Sequence, residues 1–350
     1  MRSFVLLLLL LLLFQISCRS PSEAQLFQIF DWGGLDPEAY GFDKEALEQA
    51  VQEASRMDFF TSLLVVRRGD LVLEVYYNKC QPDQRHEIRS ATKSVVSALI
   101  GIALENGHLD SVEQKLVDFF PEYVNETMDP RKRNVTIHHL LTMTSGFPSD
   151  NQAEALFTND PDEMGQIFNM PLSSNPGSQF SYSSVGTHLL SGILTRATNQ
   201  STKEFAMTNL CIPLGIDIPF WIRDPMGFYY GGSGIEMTSR DMAHFGQLYL
   251  NGGTFSDQRI IPSDWIQKSF QTHVGQDEEG YGYLWWLGMM DNHAVQMAIG
   301  YGGQYIILVS DLDMVVVTTS LFPNSTAEEN TRYDQIQNFV EDFILAAVVE

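Results

Sequence analysis

The sequence predicts an α+β fold. One antiparallel β-sheet is formed by both ends of the chain and flanked by helices, and a mostly helical domain is inserted between its halves. Three observations predict it. Apolar, β-branched runs occur early, at 62–67 and 71–77, and return late, at 281–287, 294–299, 305–310 and 314–320. Between them, from 111 to about 261, helical patterns dominate, at 136–143, 153–157, 185–197, 202–209 and 238–251. The 350 residues also suffice for two intertwined domains around a sizeable core. The expected division is 1–24 for an export signal, 30–110 with 275–350 for the sheet, and 111–274 for the helical part. A functional cleft is expected at the seam, where ligand sites tend to lie.

Each element has its own reason. Residues 43–57 read as an amphipathic helix. Arg68-Gly69-Asp70 separates two strand-like runs as a hairpin turn would, and the same tripeptide also matches an integrin-binding motif. The segment opened by Ser90 carries Val95, Val96, Leu99 and Ile100 at helical spacing and runs to about Asn106, with Gly107 as its stop. Asp311-Leu312-Asp313 reads as a turn, and 333–349 as a closing amphipathic helix.

Composition bounds the partners. A net charge of −23 excludes the basic footprint that nucleic acid requires, and it disfavours anionic lipid surfaces. With 44% hydrophobic and 19% charged residues the chain is globular. Arg2 followed by the apolar run from Phe4 to Phe14 reads as an export signal too short to span a bilayer. Cys18 resembles the lipid-modified cysteine of a bacterial lipoprotein, although Gln15 stands where such signals carry leucine. Cleavage near Ser22 or Ala24 without a lipid is the alternative. Either outcome makes the expected location periplasmic or extracellular, as a membrane-anchored lipoprotein in the first case. Cys80 and Cys211 are expected as two isolated buried thiols.

Three short motifs carry chemistry. Ser90 and Lys93, three apart on a helix, share one face, so an amine lies beside a hydroxyl and can take its proton. Taken alone, the pair equally describes a helix cap beside a surface lysine. Phe180-Ser181-Tyr182-Ser183-Ser184 places a tyrosine at a loop–helix junction, where its phenol is either a proton shuttle or half of a local hydrogen bond. Gly300-Tyr301-Gly302-Gly303-Gln304 precedes a late strand, where glycines permit close backbone approach by a substrate or simply form a tight turn. No Gly-x-Ser-x-Gly, His-Glu-x-x-His or phosphate-loop pattern is present, and the adjacent His138 and His139 are expected to be structural. No metal and no cofactor is expected.

The order and spacing of these motifs resemble the serine β-lactamase and penicillin-recognising enzyme superfamily, and within it the class C β-lactamase-like group. That group includes esterases, D-amino peptidases and 6-aminohexanoate-dimer hydrolases. Its Ser-x-x-Lys, Tyr-x-Asn/Ser and Lys/His-x-Gly motifs correspond here to Ser90–Lys93, Tyr182–Ser184 and Tyr301–Gly303. Segments 136–146, 231–242 and 261–265 match the family style, and the resemblance spans about 35–345.

The resemblance implies a β-lactamase/transpeptidase-like fold and Ser90 as acylated nucleophile. Lys93 would be its proton partner and Tyr182 the general base or acid. The amides of Ser90 and Gln304 would form the oxyanion hole, and Ser184, Tyr301, Gly302 and Gly303 would contact substrate. It leaves open whether Lys93 or Tyr182 removes the proton. Two positions depart from true β-lactamases: Ser184 replaces an asparagine, and Tyr301 replaces a cationic or imidazole group. A phenol gives no charge-assisted bond to a carboxylate. The expected activity is therefore hydrolysis of a small ester or amide. The alternatives are a D-amino-acid peptidase, a β-lactamase, or a non-catalytic relative that binds a peptide or polymer.

Overall fold

The computed structural model describes residues 35–153, 161–276 and 279–349. The export signal expected at 1–24, with Cys18, lies outside the described residues, as does most of the helix expected at 153–157.

The first hairpin pairs β1 (Phe60–Arg67) with β2 (Asp70–Tyr76). Its turn places Arg68 at φ +53° and Gly69 at φ +83°. Two successive positive φ angles are what a two-residue turn needs to match the twist of its strands, so the Arg-Gly-Asp tripeptide is a hairpin turn here. Two short pairs follow, β3 (Arg85–Glu87) with β4 (Glu236–Thr238) and β5 (Thr254–Phe255) with β6 (Gln258–Arg259). The late strands are β7 (Val274–Gln276), β8 (Glu279–Tyr281), β9 (Trp286–Met290), β10 (His293–Gly300), β11 (Gln304–Val309) and β12 (Met314–Ser320).

The main sheet runs β2-β1-β12-β11-β10-β9-β8-β7 and is antiparallel throughout. The pairing of β1 with β12 joins the two ends of the chain. Side chains alternate across the central strands, as the two-residue strand repeat demands. Leu64 and Val66 of β1 enter a core shared with the helices Thr92–Glu105, Ser184–Thr198 and Ser239–Leu250. Leu63 and Val65 face the opposite core, against the helix Lys44–Arg56 and the C-terminal helix. Burial on both faces explains why these strands read as continuous apolar runs. Each such side chain contributes about 1.5–3 kcal/mol on burial.

The sheet fold and its helical cover match the expectation, with local corrections. The run 281–287 is two strands, because Gly282 donates its N–H to Trp285 O and Leu284 takes φ +61°, closing a hairpin. The closing helix starts at Thr326 rather than 333, behind the Ser325 side chain that caps it. It ends as a wider π turn at Val340–Leu345. The helix expected at 202–209 likewise passes into a π turn at Met207–Cys211. Cys80 and Cys211 are buried free thiols that form no disulfide with each other.

Candidate active site

Ser90 does not sit in the first turn of the α-helix proper. It occupies a 3-10 turn, Arg89–Ala91, that feeds the helix Thr92–Glu105. The residue before it, Arg89, adopts φ +51°, a left-handed conformation uncommon for any residue other than glycine. Its guanidinium is held over the Phe322 ring at 4.2 Å and lies 3.3 Å from the Glu87 carboxylate. Behind the turn, Gly300 at the end of β10 abuts the Ile88 carbonyl: a Cβ there would stand 2.1 Å from that oxygen. The missing side chain therefore lets the third motif pack directly against the turn that carries Ser90. Ser90 itself is half-buried.

Lys93 is 1% exposed, yet its Nζ is fully surrounded by acceptors. It lies 3.0 Å from Ser90 Oγ, 2.9 Å from Ser184 Oγ and 2.9 Å from Gly232 O. A carbonyl can only accept. Ser184 Oγ gives its one proton to Asp150 Oδ2 at 2.7 Å, so toward Lys93 it too can only accept. Two Lys93 hydrogens are thereby assigned. The third position on nitrogen, facing Ser90, is an N–H in the ammonium and a lone pair in the free amine. The arrangement can therefore shuttle one proton between Ser90 and Lys93.

Tyr182 covers this pair. Lys93 Nζ lies 4.7 Å from the centre of its ring, and the other face stacks on Trp286 at 5.6 Å with 24° between planes. Asp150 N donates to Tyr182 O at 2.9 Å, which ties the second motif to the 150 segment. Nearby, the Tyr281 phenol is pushed well above its ordinary value, first by burial and then by Tyr182 and Asp150.

The structure brings Ser90, Lys93, Tyr182 and Ser184 together in one cluster. Gln304 begins β11 opposite Gly300, and its side chain is fully buried, donating to Ser320 O at 2.9 Å. Tyr301 is half-buried, 6.3 Å from the Phe322 ring. Gly302 and Gly303 take φ +80° and +105°, and added Cβ atoms would meet Pro323 at 2.7 Å and Ile336 at 2.6 Å. Glycine at these two positions answers to backbone conformation and internal packing. His138 bonds Tyr283 through its ring, and His139 completes a capping box with Thr136.

Two contributors, Asp150 and Gly232, were not singled out from sequence. Asp150 accepts from both Ser184 N, at 2.5 Å, and Ser184 Oγ. Gly232 offers a carbonyl, which no side-chain pattern can signal. Its neighbour Gly231 is the readable trace, since a Cβ there would stand 1.9 Å from Thr187 O. Trp286 forms the outer wall of Tyr182. Among the described residues no group of three or more His, Cys, Asp or Glu could hold a metal ion.

Comparison with known proteins fits this geometry. The chain is 24% identical over 303 residues to a 6-aminohexanoate-dimer hydrolase of Paenarthrobacter ureafaciens, spanning 79% of this chain and 76% of that protein. Its fold is similar to the octameric penicillin-binding protein homologue of Pyrococcus abyssi (TM-score 0.64, 21% identity, 88% and 78% of the two chains). It is also similar to EstCE1, a hydrolase with promiscuous acyltransferase activity (TM-score 0.69, 15% identity, 85% and 98% covered). The Beta-lactamase family matches residues 60–339, most of the sequence, and so this chain belongs to that family.

Proposed function

We propose that the chain is a serine hydrolase of the class C β-lactamase-like group, cleaving a small ester or amide through an acyl-enzyme on Ser90. The observation that carries it is the 3.0 Å approach of Lys93 Nζ to Ser90 Oγ, with the other two Lys93 hydrogens committed elsewhere. In the amine form Lys93 takes the Ser90 proton as Oγ attacks the carbonyl carbon. The resulting oxyanion is assigned to the backbone N–H groups of Ser90 and Gln304. Collapse breaks the bond to the leaving group, which receives a proton from Lys93 by way of the Tyr182 phenol. Water then attacks the acyl carbon, its proton returns along the same route, and Ser90 is regenerated.

The similarity to a 6-aminohexanoate-dimer hydrolase and to EstCE1 supports amide or ester substrates. Ser184 and Tyr301 argue against a β-lactam, because neither supplies the amide or the cation that orients one. Within this reading Tyr301 borders the substrate's path, Gly302 and Gly303 shape the turn that presents it, and residues 1–24 direct export.

A fluorophosphonate probe and p-nitrophenyl acetate test the proposal. Stoichiometric labelling mapped to Ser90, and loss of labelling and turnover in Ser90→Ala, are expected. Unchanged turnover in Ser90→Ala would overturn it.

A further inference from the structure

A cavity of about 590 Å³ lies against the Tyr182–Trp286 stack and has no part in the bond-breaking chemistry. Its volume falls in the range of small-molecule sites. Its walls are Phe180, Tyr281, Trp286, Met297 and Ile299, with Gln337 the one side-chain amide and no charged side chain among the described residues that line it. Trp286 is shared: its ring stacks on Tyr182 and meets Phe180 and Tyr281 edge-to-face, at 6.1 and 4.9 Å. The far wall belongs to the helix Thr326–Phe339. Tyr333 stands one turn before Gln337 on that helix. The cavity therefore lies behind the Trp286 ring that stacks on Tyr182.

We propose that this cavity is a subsite for an uncharged apolar chain of about four to eight carbons carried by the substrate. The inference rests on the Ser90 hydrolase reading and refines its substrate class. Among the described lining residues an anionic group would find no cation and an ammonium no carboxylate. An apolar chain would exchange water for aromatic and aliphatic walls, at about a fourfold gain in kcat/KM for each methylene buried. The chemistry recognised is the same on the acyl and on the leaving-group side of the scissile bond.

Two ester series distinguish them: p-nitrophenyl acetate through octanoate extends the acyl side, and ethyl through octyl acetate extends the leaving side. In one series kcat/KM is expected to rise about 100-fold or more between the shortest chain and the six-carbon member. Ile299→Trp, which fills the cavity, should abolish that rise while p-nitrophenyl acetate turnover stays within about threefold. Should that variant fail to fold, Ile299→Ala widens the same wall and should move the optimum to longer chains. A flat profile in both series, with acetate turnover and Ser90 labelling intact, would overturn the subsite alone. Absence of labelling and of acetate turnover would remove the Ser90 reading and this inference together.

Discussion

Asp150 holds Ser184 by two bonds, accepting from its amide at 2.5 Å and from its hydroxyl at 2.7 Å. The second bond fixes the direction of a rotor that would otherwise be free to donate to Lys93. With the hydroxyl turned away, the free amine of Lys93 keeps its lone pair for Ser90. Asp150 is thus a positioning residue that acts through Ser184. In Asp150→Asn only one oxygen remains to meet two donors, so one Ser184 bond is lost. We expect kcat to fall about 10- to 100-fold with KM nearly unchanged. Because the effect passes through Ser184, adding Asp150→Asn to Ser184→Ala should cost little more than Ser184→Ala alone. Additive losses in that double-mutant cycle would count against the relay.

Tyr182 offers a separation of chemistry from packing. Its ring contacts with Lys93 and Trp286 involve the π faces and survive in Tyr182→Phe. Only the phenol oxygen, the proposed proton carrier, is removed. The expected result is a drop of about 10²- to 10⁴-fold in kcat/KM. The melting temperature should stay within about 2 °C of wild type, since no buried volume is lost. Near wild-type turnover would mean that the tyrosine only roofs the lysine.

Ser90 and Lys93 were legible because their relation is local: three residues on a helix share a face whatever surrounds them. Tyr182 and Ser184 were legible as a motif at a helix entrance. Asp150 and Gly232 were not, because they meet the site across 34 and 139 residues of chain, through a loop carboxylate and a backbone carbonyl. Periodicity records which face is buried, and it says nothing of which loop closes on that face. The central strands were readable because two-sided burial leaves an apolar run. The run 281–287 misled for the same reason, since Trp285 is as buried in its turn as a strand residue would be. The cap at Ser325 was in the sequence, as a serine three residues before Glu328, and places the last helix correctly when it is used.

Gly231 tests whether the loop carrying the Gly232 carbonyl must lie where it does. A Cβ at Gly231 would stand 1.9 Å from Thr187 O, a backbone atom of the helix Ser184–Thr198 that cannot swing aside. Gly231→Ala should therefore push the loop outward and lengthen the Lys93–Gly232 bond. We expect about 1–3 kcal/mol of lost stability together with at least tenfold lower kcat. Gly186→Ala in the same helix is the control, because its nearest neighbours would be at 3.6 Å. That change should be neutral or stabilising, as replacing a glycine inside a helix usually is. Denaturant melts and turnover on both variants decide the matter.

Asp129 makes the acid sensitivity of the helical domain measurable. Its carboxylate takes a bidentate pair from Arg131, at 3.0 and 2.6 Å, and also accepts from the backbone N–H of Leu172 at 3.1 Å. The Arg131 bonds come first among the causes that hold it well below the usual carboxylate range. Beside it, Lys132 is fully buried with Nζ donating to the Ile167, Phe168 and Met170 carbonyls, and burial pushes that ammonium down to about 8 while Asp129 opposes the shift. The folded carboxyl thus binds its proton at lower pH than the unfolded one, whose value is near 3.8. As pH falls below that value the unfolded chain takes up the proton first, so the stabilisation present at neutral pH is lost progressively. Asp129→Asn cannot titrate. Its melting temperature should be lower than wild type at pH 7, and the gap should narrow as both are followed from pH 5 to pH 2 by circular dichroism. Taking the difference between the two proteins cancels the other carboxylates of this acidic chain, and a gap that stays constant over that range would show that Asp129 is not held ionised by Arg131.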